Sequence, residues 1–447
     1  MLSAQHLLLL LGSLVAGTCF AADTDGTQFI LAFANGNHDL YNKLTSASLI
    51  VMPIHNNSEI FYVFDNPSGP TVTHTNIDPR VTVTCSTPVK LLAKVGDKYN
   101  GWGDILNIPS IEMAGTNYII QTPTSTFGDL AMALILPLEL DVTVSLSIRI
   151  YMNDKLQLLK QVNVNSTLGE KQLTVGSFVD SNDASVNSTF VITASSPVVI
   201  QLISPLSSSS NNPKLCGVSC YRDYASMIVP PVVKATCGAL LSHPDMRVLT
   251  SEYSLLMFIA PPNAQSCNED FTFKVFDDID PIIGTEFTVD SFGSSDVALS
   301  TRNQIGVVSY TAQLPATRFG GWVQEDGLTS YGHFLTYVPS TTEYVIGKTN
   351  FFTYATGCLL EIYISAKDND LMTMKLDNVP FNSLDFDKKH LAMFDKAYVR
   401  FLINVTGYGL HSFKAEQKYV AYVICKQVNS AFDTVGYITG YNKRTLN

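Results

Sequence analysis

Charge is scarce in this chain. Of its 447 residues only 15% are Asp, Glu, Lys or Arg, against about 25% in ordinary soluble domains. Lys and Arg total 28 against 39 Asp and Glu, a net charge of −11. No basic patch is therefore available to neutralise phosphates, and no nucleic-acid partner is expected. Sparse charge combined with 46% apolar residues excludes long disorder, which needs the opposite composition. Long hydrophobic runs are also lacking. Beyond the N-terminus no stretch reaches the roughly 20 apolar residues of a membrane helix. The longest candidate, Leu130 to Leu140, is cut by Pro137 and closed by Glu139 and Asp141, so no membrane span is expected.

Catalytic signatures are missing too. G-x-S-x-G, S-x-x-K and H-E-x-x-H do not occur, which removes the usual strained nucleophile turn and the helical zinc pair. Gly347-Lys348-Thr349 resembles the end of a phosphate loop, but Thr342 stands where its first glycine belongs. The chain reads as a non-enzyme without a cofactor. The alternative is a secreted hydrolase whose catalytic residues are dispersed along the sequence.

The N-terminus carries a targeting signal. Leu7 to Ala16 is an apolar run, and Gly17 to Ala22 supplies small residues for cleavage, although no Lys or Arg precedes the run. Residues 1–22 read as a signal peptide, and the protein is expected to be secreted and extracellular. Four N-x-S/T sequons, at Asn56, Asn165, Asn187 and Asn404, are then candidate glycosylation sites.

Loss of Cys19 with the leader leaves seven cysteines: Cys85, Cys216, Cys220, Cys237, Cys267, Cys358 and Cys425. In an oxidising compartment most should form disulfides, and the odd count leaves one thiol free or bonded to another chain. The connectivity stays open. Cys216 and Cys220 could form half a zinc site, but no second ligand pair lies at the right spacing, and disulfide pairing fits better.

Alternation of apolar and polar residues dominates what is present. In the run from Val142, the residues Val142, Val144, Leu146, Ile148 and Ile150 fall on one face and Thr143, Ser145, Ser147, Arg149 and Tyr151 on the other. That is a half-buried strand. Similar runs occupy 81–85, 271–276, 358–365, 401–405 and 419–425, separated by turn clusters such as DNPSGP (65–70) and PLSSSSNNPK (205–214). Helical spacing is rare, the best candidates being Leu384 to Phe394 and Thr126 to Leu136. The fold class expected is all-β.

An internal repeat is visible. STPVKLLAK, SSPVVIQLI and QIGVVSYTA place Pro88, Pro197 and Gly306 at intervals of 109 residues. Pro230 and Pro339 each follow the second and third of these by 33 residues, while the first copy has LNIPS at Pro109. A 109-residue unit suits tandem β-sandwich-like modules, with a β-propeller-like arrangement as the alternative. The expected organisation is a first β module over 23–180, a second over 181–290, and a third over 291–447 that includes the closing strands.

The repeated pieces carry a resemblance. TASSPVVIQL (193–202) followed by CYRDYASMIVPPV (220–232), then IGVVSYTAQLP (305–315) with YGHFLTYVPSTTEY (331–344), and finally GLHSFKAEQKYVAYVICKQ (409–427) with VGYITGYN (435–442), are similar to the N-terminal domain family of IgGFc-binding protein. The resemblance covers roughly residues 181–442. It departs from the family pattern at Gly306 and Ser340, where proline is usual. It implies a secreted recognition or adhesion module at a mucous or epithelial surface, with a part in defence, whose partner is an extracellular protein or glycan.

Candidate sites are few. Trp102 in YNGWGD and Trp322 in RFGGWVQED are the only tryptophans; they either fold onto a core edge or offer flat faces to a ligand. Asp277, Asp278 and Asp280 follow one strand, and Asp368 and Asp370 follow another. These could gather oxygens around a calcium ion, or they are solvated turn carboxylates. His411, alone in its strand, is either hydrogen-bonded or available for binding.

Overall fold

The computed structural model describes residues 22–33, 46–54, 80–97, 101–122, 131–139, 142–152, 155–165, 173–177, 188–207, 223–233, 237–262, 271–289, 295–299, 302–323, 330–366 and 371–444. Among them there are strands and short 3₁₀ turns and no α-helix. The all-β expectation holds.

The strands fall into four consecutive units. The first holds β1 (Gly26–Ala32), β2 (Ser46–Pro53), β3 (Arg80–Asp97) and β4 (Trp102–Ile108). The second holds β5 (Gly115–Thr122), β6 (Ala131–Pro137), β7 (Val144–Met152), β8 (Lys155–Val164), β9 (Leu173–Ser177), β10 (Ser188–Ser207) and β11 (Asp223–Val229). In the third are β12 (Asp245–Thr250), β13 (Ser254–Ile259), β14 (Phe271–Asp277), β15 (Thr285–Val289), β16 (Ser295–Ala298), β17 (Gln304–Ser309), β18 (Ala316–Val323) and β19 (Ser330–Tyr337). The fourth comprises β20 (Val345–Thr353), β21 (Cys358–Ser365), β22 (Lys375–Leu376), β23 (Val379–Pro380), β24 (Phe386–His390), β25 (Tyr398–Val405), β26 (Gly409–Lys426) and β27 (Thr434–Ile438).

One device recurs in the first, second and fourth units: a long strand that changes partners halfway. In β10, residues 188–194 lie between β5 and β7, whereas 198–203 lie between β6 and β11. In β26, Gly409–Ala415 pair with β20, and Tyr419–Lys426 lie among β21 and β27. The early part of β3 pairs with β1 and its later part with β2 and β4. Pro88 and Pro197 sit where the partners change, so the missing N–H forfeits no ladder bond. Long strands of this kind are consistent with an all-β, sandwich-like fold.

The repeat differs from expectation in its third copy. Gly306 is not the counterpart of Pro88 and Pro197. It lies inside β17, between Val248 of β12 and Phe276 of β14, where a Cβ would strike Phe394 and Met393. In this unit the long strand is interrupted between β17 and β18, and Pro315, directly before β18, takes the proline position. The 109-residue interval to Gly306 is a coincidence of Val-rich strands. There are four units, and the expected boundaries at 180/181 and 290/291 cut between paired strands: β10 bonds to β5, β6 and β7, and β17 bonds to β14.

The two expected helices are strands. Ala131–Pro137 is apolar at every position because both its faces are buried, which erases any period. Phe386–His390 is an edge strand on β25, its Phe386 packed against Phe381 and Phe401. Tertiary packing overrides local spacing there.

The last inner strand of each unit, β4, β11, β19 and β27, contacts the next, and β27 returns to β4. These four strands form a propeller-like ring. Every residue of β4, β11 and β27 is buried, as are most of β19. The space they enclose is about 20 Å³, room for about one water molecule. Residues 23–25 and 441–444 complete the ring. Thr24 N–H donates to Tyr441 O at 3.3 Å, Ser110 N–H donates to Thr24 O at 2.9 Å, and Lys443 N–H donates to the Asp23 carboxylate at 2.7 Å. Lys90 of β3 pairs with Asp25 at 2.5 Å, both fully buried. On the same side Arg444 bonds Glu343 and the Tyr337 hydroxyl, each at 3.0 Å.

Contact between β19 and β27 depends on Gly332. Its φ is +62°, and a Cβ would sit 1.9 Å from the Thr434 nitrogen. Gly332→Ala should cost more than ~2 kcal/mol from clash and left-handed strain together. Gly238→Ala shares the positive φ (+67°) but meets nothing within 4 Å, and should cost only ~1 kcal/mol. Urea unfolding of the two variants measures the difference, and equal losses would contradict a tight β19–β27 contact.

Candidate functional site

The strand starts of β4, β11 and β27 gather at one end of the ring, and each carries an aspartate. Sheet pairing supplies no ladder between these strands, so their outward N–H groups need other acceptors. Carboxylates provide them. Asp223 accepts from Gly103 N–H of β4 and from His333 N–H of β19, both at 3.0 Å. Asp104 accepts from Ser226 N–H of β11 at 2.7 Å. Asp433 accepts from the backbone and side-chain amides of Asn429 at 2.7 and 2.8 Å, in a loop that closes on Gly101 and Gly103.

All three carboxylates are buried, and burial pushes each upward in pKa. Asp433 reaches about 7, held there by burial against the lowering influence of Asn429 and Lys94. Asp104 and Asp223 rise well above the usual range, and the charge of Asp433 adds to the rise at both. His333 is pushed down to about 4 by burial, so it stays neutral. The carboxyls of Asp223 and Asp433 interact directly, and burial raises the pKa of both.

Beside this mouth lies a strip of aromatic rings. Trp322 of β18 meets Tyr331 of β19 edge-on at 6.0 Å, and Tyr331 tilts against Phe432 at 5.0 Å. The Lys426 ammonium lies 4.7 Å from the Trp322 ring centroid and 5.1 Å from that of Tyr253. Trp322, Tyr331 and Tyr253 are half-buried and Phe432 is 42% exposed. Two neighbouring units build the strip, which joins residues 253, 322, 331, 426 and 432.

The structure separates the two tryptophans. Trp102 is 6% exposed and stacked on Tyr224 at 5.5 Å; it belongs to the core and offers no face to a ligand, a correction forced by the ring. The aspartates considered for calcium are engaged otherwise. Asp277 pairs with Arg302 at 2.8 Å and accepts from Ile279 and Asp280 N–H. Asp278 accepts from Asn303 and Gln304, and Asp280 accepts from Ile283 N–H. They cap a tight turn, and among the described residues no three metal-ligating side chains converge. Asp368 and Asp370 lie outside the described residues.

Cys358 and Cys425 form a disulfide between β21 and β26. Cys237 is also disulfide-bonded, and Cys85 is a free thiol in β3. Cys216, Cys220 and Cys267 lie outside the described residues, as do Asn56 and Asn187. Asn404 is exposed on β25, and Asn165 bonds to Thr143. His411 pairs with Asp377 at 2.7 Å and stacks on Phe351.

Sequence reasoning missed Asp104, Asp223 and Asp433, and of the strip it found only Trp322. The aspartates' signal was their place just before or within the first three residues of β4, β11 and β27. Tyr253, Lys426 and Phe432 carry no local signal. No protein-family model matches the chain, and no curated protein matches it.

Stability should record the raised pKa of Asp433. The folded-state pKa of Asp433 lies above its unfolded value, so the folded state binds more protons between about pH 4 and 7, and this contribution to stability falls as pH rises through that window. Asp433→Asn keeps an acceptor for Asn429 and a donor for Asp223. It should match wild type near pH 4 and exceed it at pH 8 by on the order of a few kcal/mol. Chemical denaturation at both pH values checks this; a variant less stable than wild type at pH 8 would contradict it.

Proposed function

We propose that the protein is a secreted, glycosylated recognition or adhesion module, similar to the IgGFc-binding-like family, that presents the aromatic strip to an extracellular protein or glycan. The observation that carries this reading is the half-exposed row of Trp322, Tyr331 and Phe432 with Lys426 against it. Aromatic residues held rigid by their neighbours supply contact area at low entropic cost, which is why Trp and Tyr dominate binding hot spots. The strands beneath them are buried and fixed, so the strip is pre-organised. The paired cysteines, the exposed sequon at Asn404 and the apolar leader support export.

Two outcomes follow. Expressed in a secretory host, the protein should leave the cell glycosylated and without residues 1–22; a product retaining them would count against export. On a glycan array, Trp322→Ala should lose at least about tenfold in binding, with near-UV circular dichroism unchanged. Trp102→Ala should instead lower stability. Native-like Trp322→Ala protein that binds as well as wild type would remove the strip from consideration.

A further inference from the structure

We infer that the strip takes a glycan carrying a carboxylate or sulfate group, with Lys426 holding the anion and the aromatic rings holding the sugar. This deepens the reading above and rests on it. Lys426 ends β26 opposite Thr434, and its ammonium is shared between the rings of Trp322 and Tyr253. Among the described residues none of the ion pairs involves Lys426. By contrast Arg247, Arg318, Arg400 and Arg444 each have an acidic partner.

Ring faces attract the cation through their quadrupole without cancelling its charge. The half-buried position also strips water from the ammonium, and this desolvation draws its pKa downward. An anion arriving from outside would restore what the rings and burial took away, through a charge-assisted hydrogen bond. The rings then define the rest of the ligand. Tyr331 and Phe432 continue the row away from Lys426, giving an apolar surface next to a single positive charge. A sugar ring presents a flat C–H face with polar substituents at its rim, which matches that layout: the face lies on the aromatic row and an acidic substituent reaches Lys426.

The experiment uses the full secreted protein against four probes: a sulfated heparin-derived octasaccharide, 3′-sialyllactose, lactose, and a poly-glutamate peptide. At least one acidic sugar should bind about tenfold or more tightly than lactose, and the advantage should shrink as salt rises. Lys426→Met keeps the apolar stem and should reduce acidic-sugar binding to the level of lactose, while Lys426→Arg should retain it. Near-UV circular dichroism and melting temperature establish that each variant folds. If lactose binds as tightly as the acidic sugars, or Lys426→Met changes nothing, the inference fails while the strip reading stands. Preferential binding of poly-glutamate would also overturn it, because the partner would then be a peptide. Loss of all sugar binding in Trp322→Ala supports the strip. Sugar binding unaffected by Trp322→Ala defeats the strip and this inference together.

Discussion

Closure of the four inner strands into a ring is the constraint on which the remainder of the molecule depends. Each of β4, β11, β19 and β27 is an edge strand of its own sheet, and a buried edge with unmet N–H groups is costly. Apolar side chains on both faces of these strands leave them no stable exposed arrangement. Placing the four edges around one axis lets each cover the next. Residues beside the first and fourth units add to the closure between β27 and β4, Thr24 N–H donating to Tyr441 O.

Since no ladder joins one inner strand to another, polar side chains do that work, and they are charged. Asp223 alone links three units through Gly103 and His333. Arg318 and Glu361 form a fully buried pair at 2.6 Å between β18 and β21, and Tyr363 and Thr250 bond the same carboxylate. Such buried pairs contribute little net stability, because desolvation offsets their attraction. They do penalise any other arrangement of the units, as a misplaced sheet would leave a carboxylate or guanidinium unpaired. A chain poor in charge has therefore placed much of it at the seams between units.

The strands were legible in the sequence because their alternation reflects one buried face. Cys358–Ser365 was read to the residue, and β7 and β14 nearly so. The repeat was legible in part. Pro88 and Pro197 mark equivalent bends because a residue without an N–H is tolerated only where the ladder changes hands. Gly306 misled because a valine-rich strand lay at the same interval, while the true position, Pro315, was hidden by the break in the long strand. The number of units was missed for a related reason: in the fourth, Gln417 and Lys418 stand at the bend in place of proline. Beyond Trp322 the strip could not be read, since Tyr253 and Lys426 meet only through the packing of two units.

Hydrogen exchange on the full chain tests the ring most directly. If the four inner strands close on one another, the amides of 102–108, 223–229, 330–337 and 434–438 should exchange through one shared opening, with a common free energy and a common response to denaturant. Early exchange of any one of these segments while the other three stay protected would contradict it.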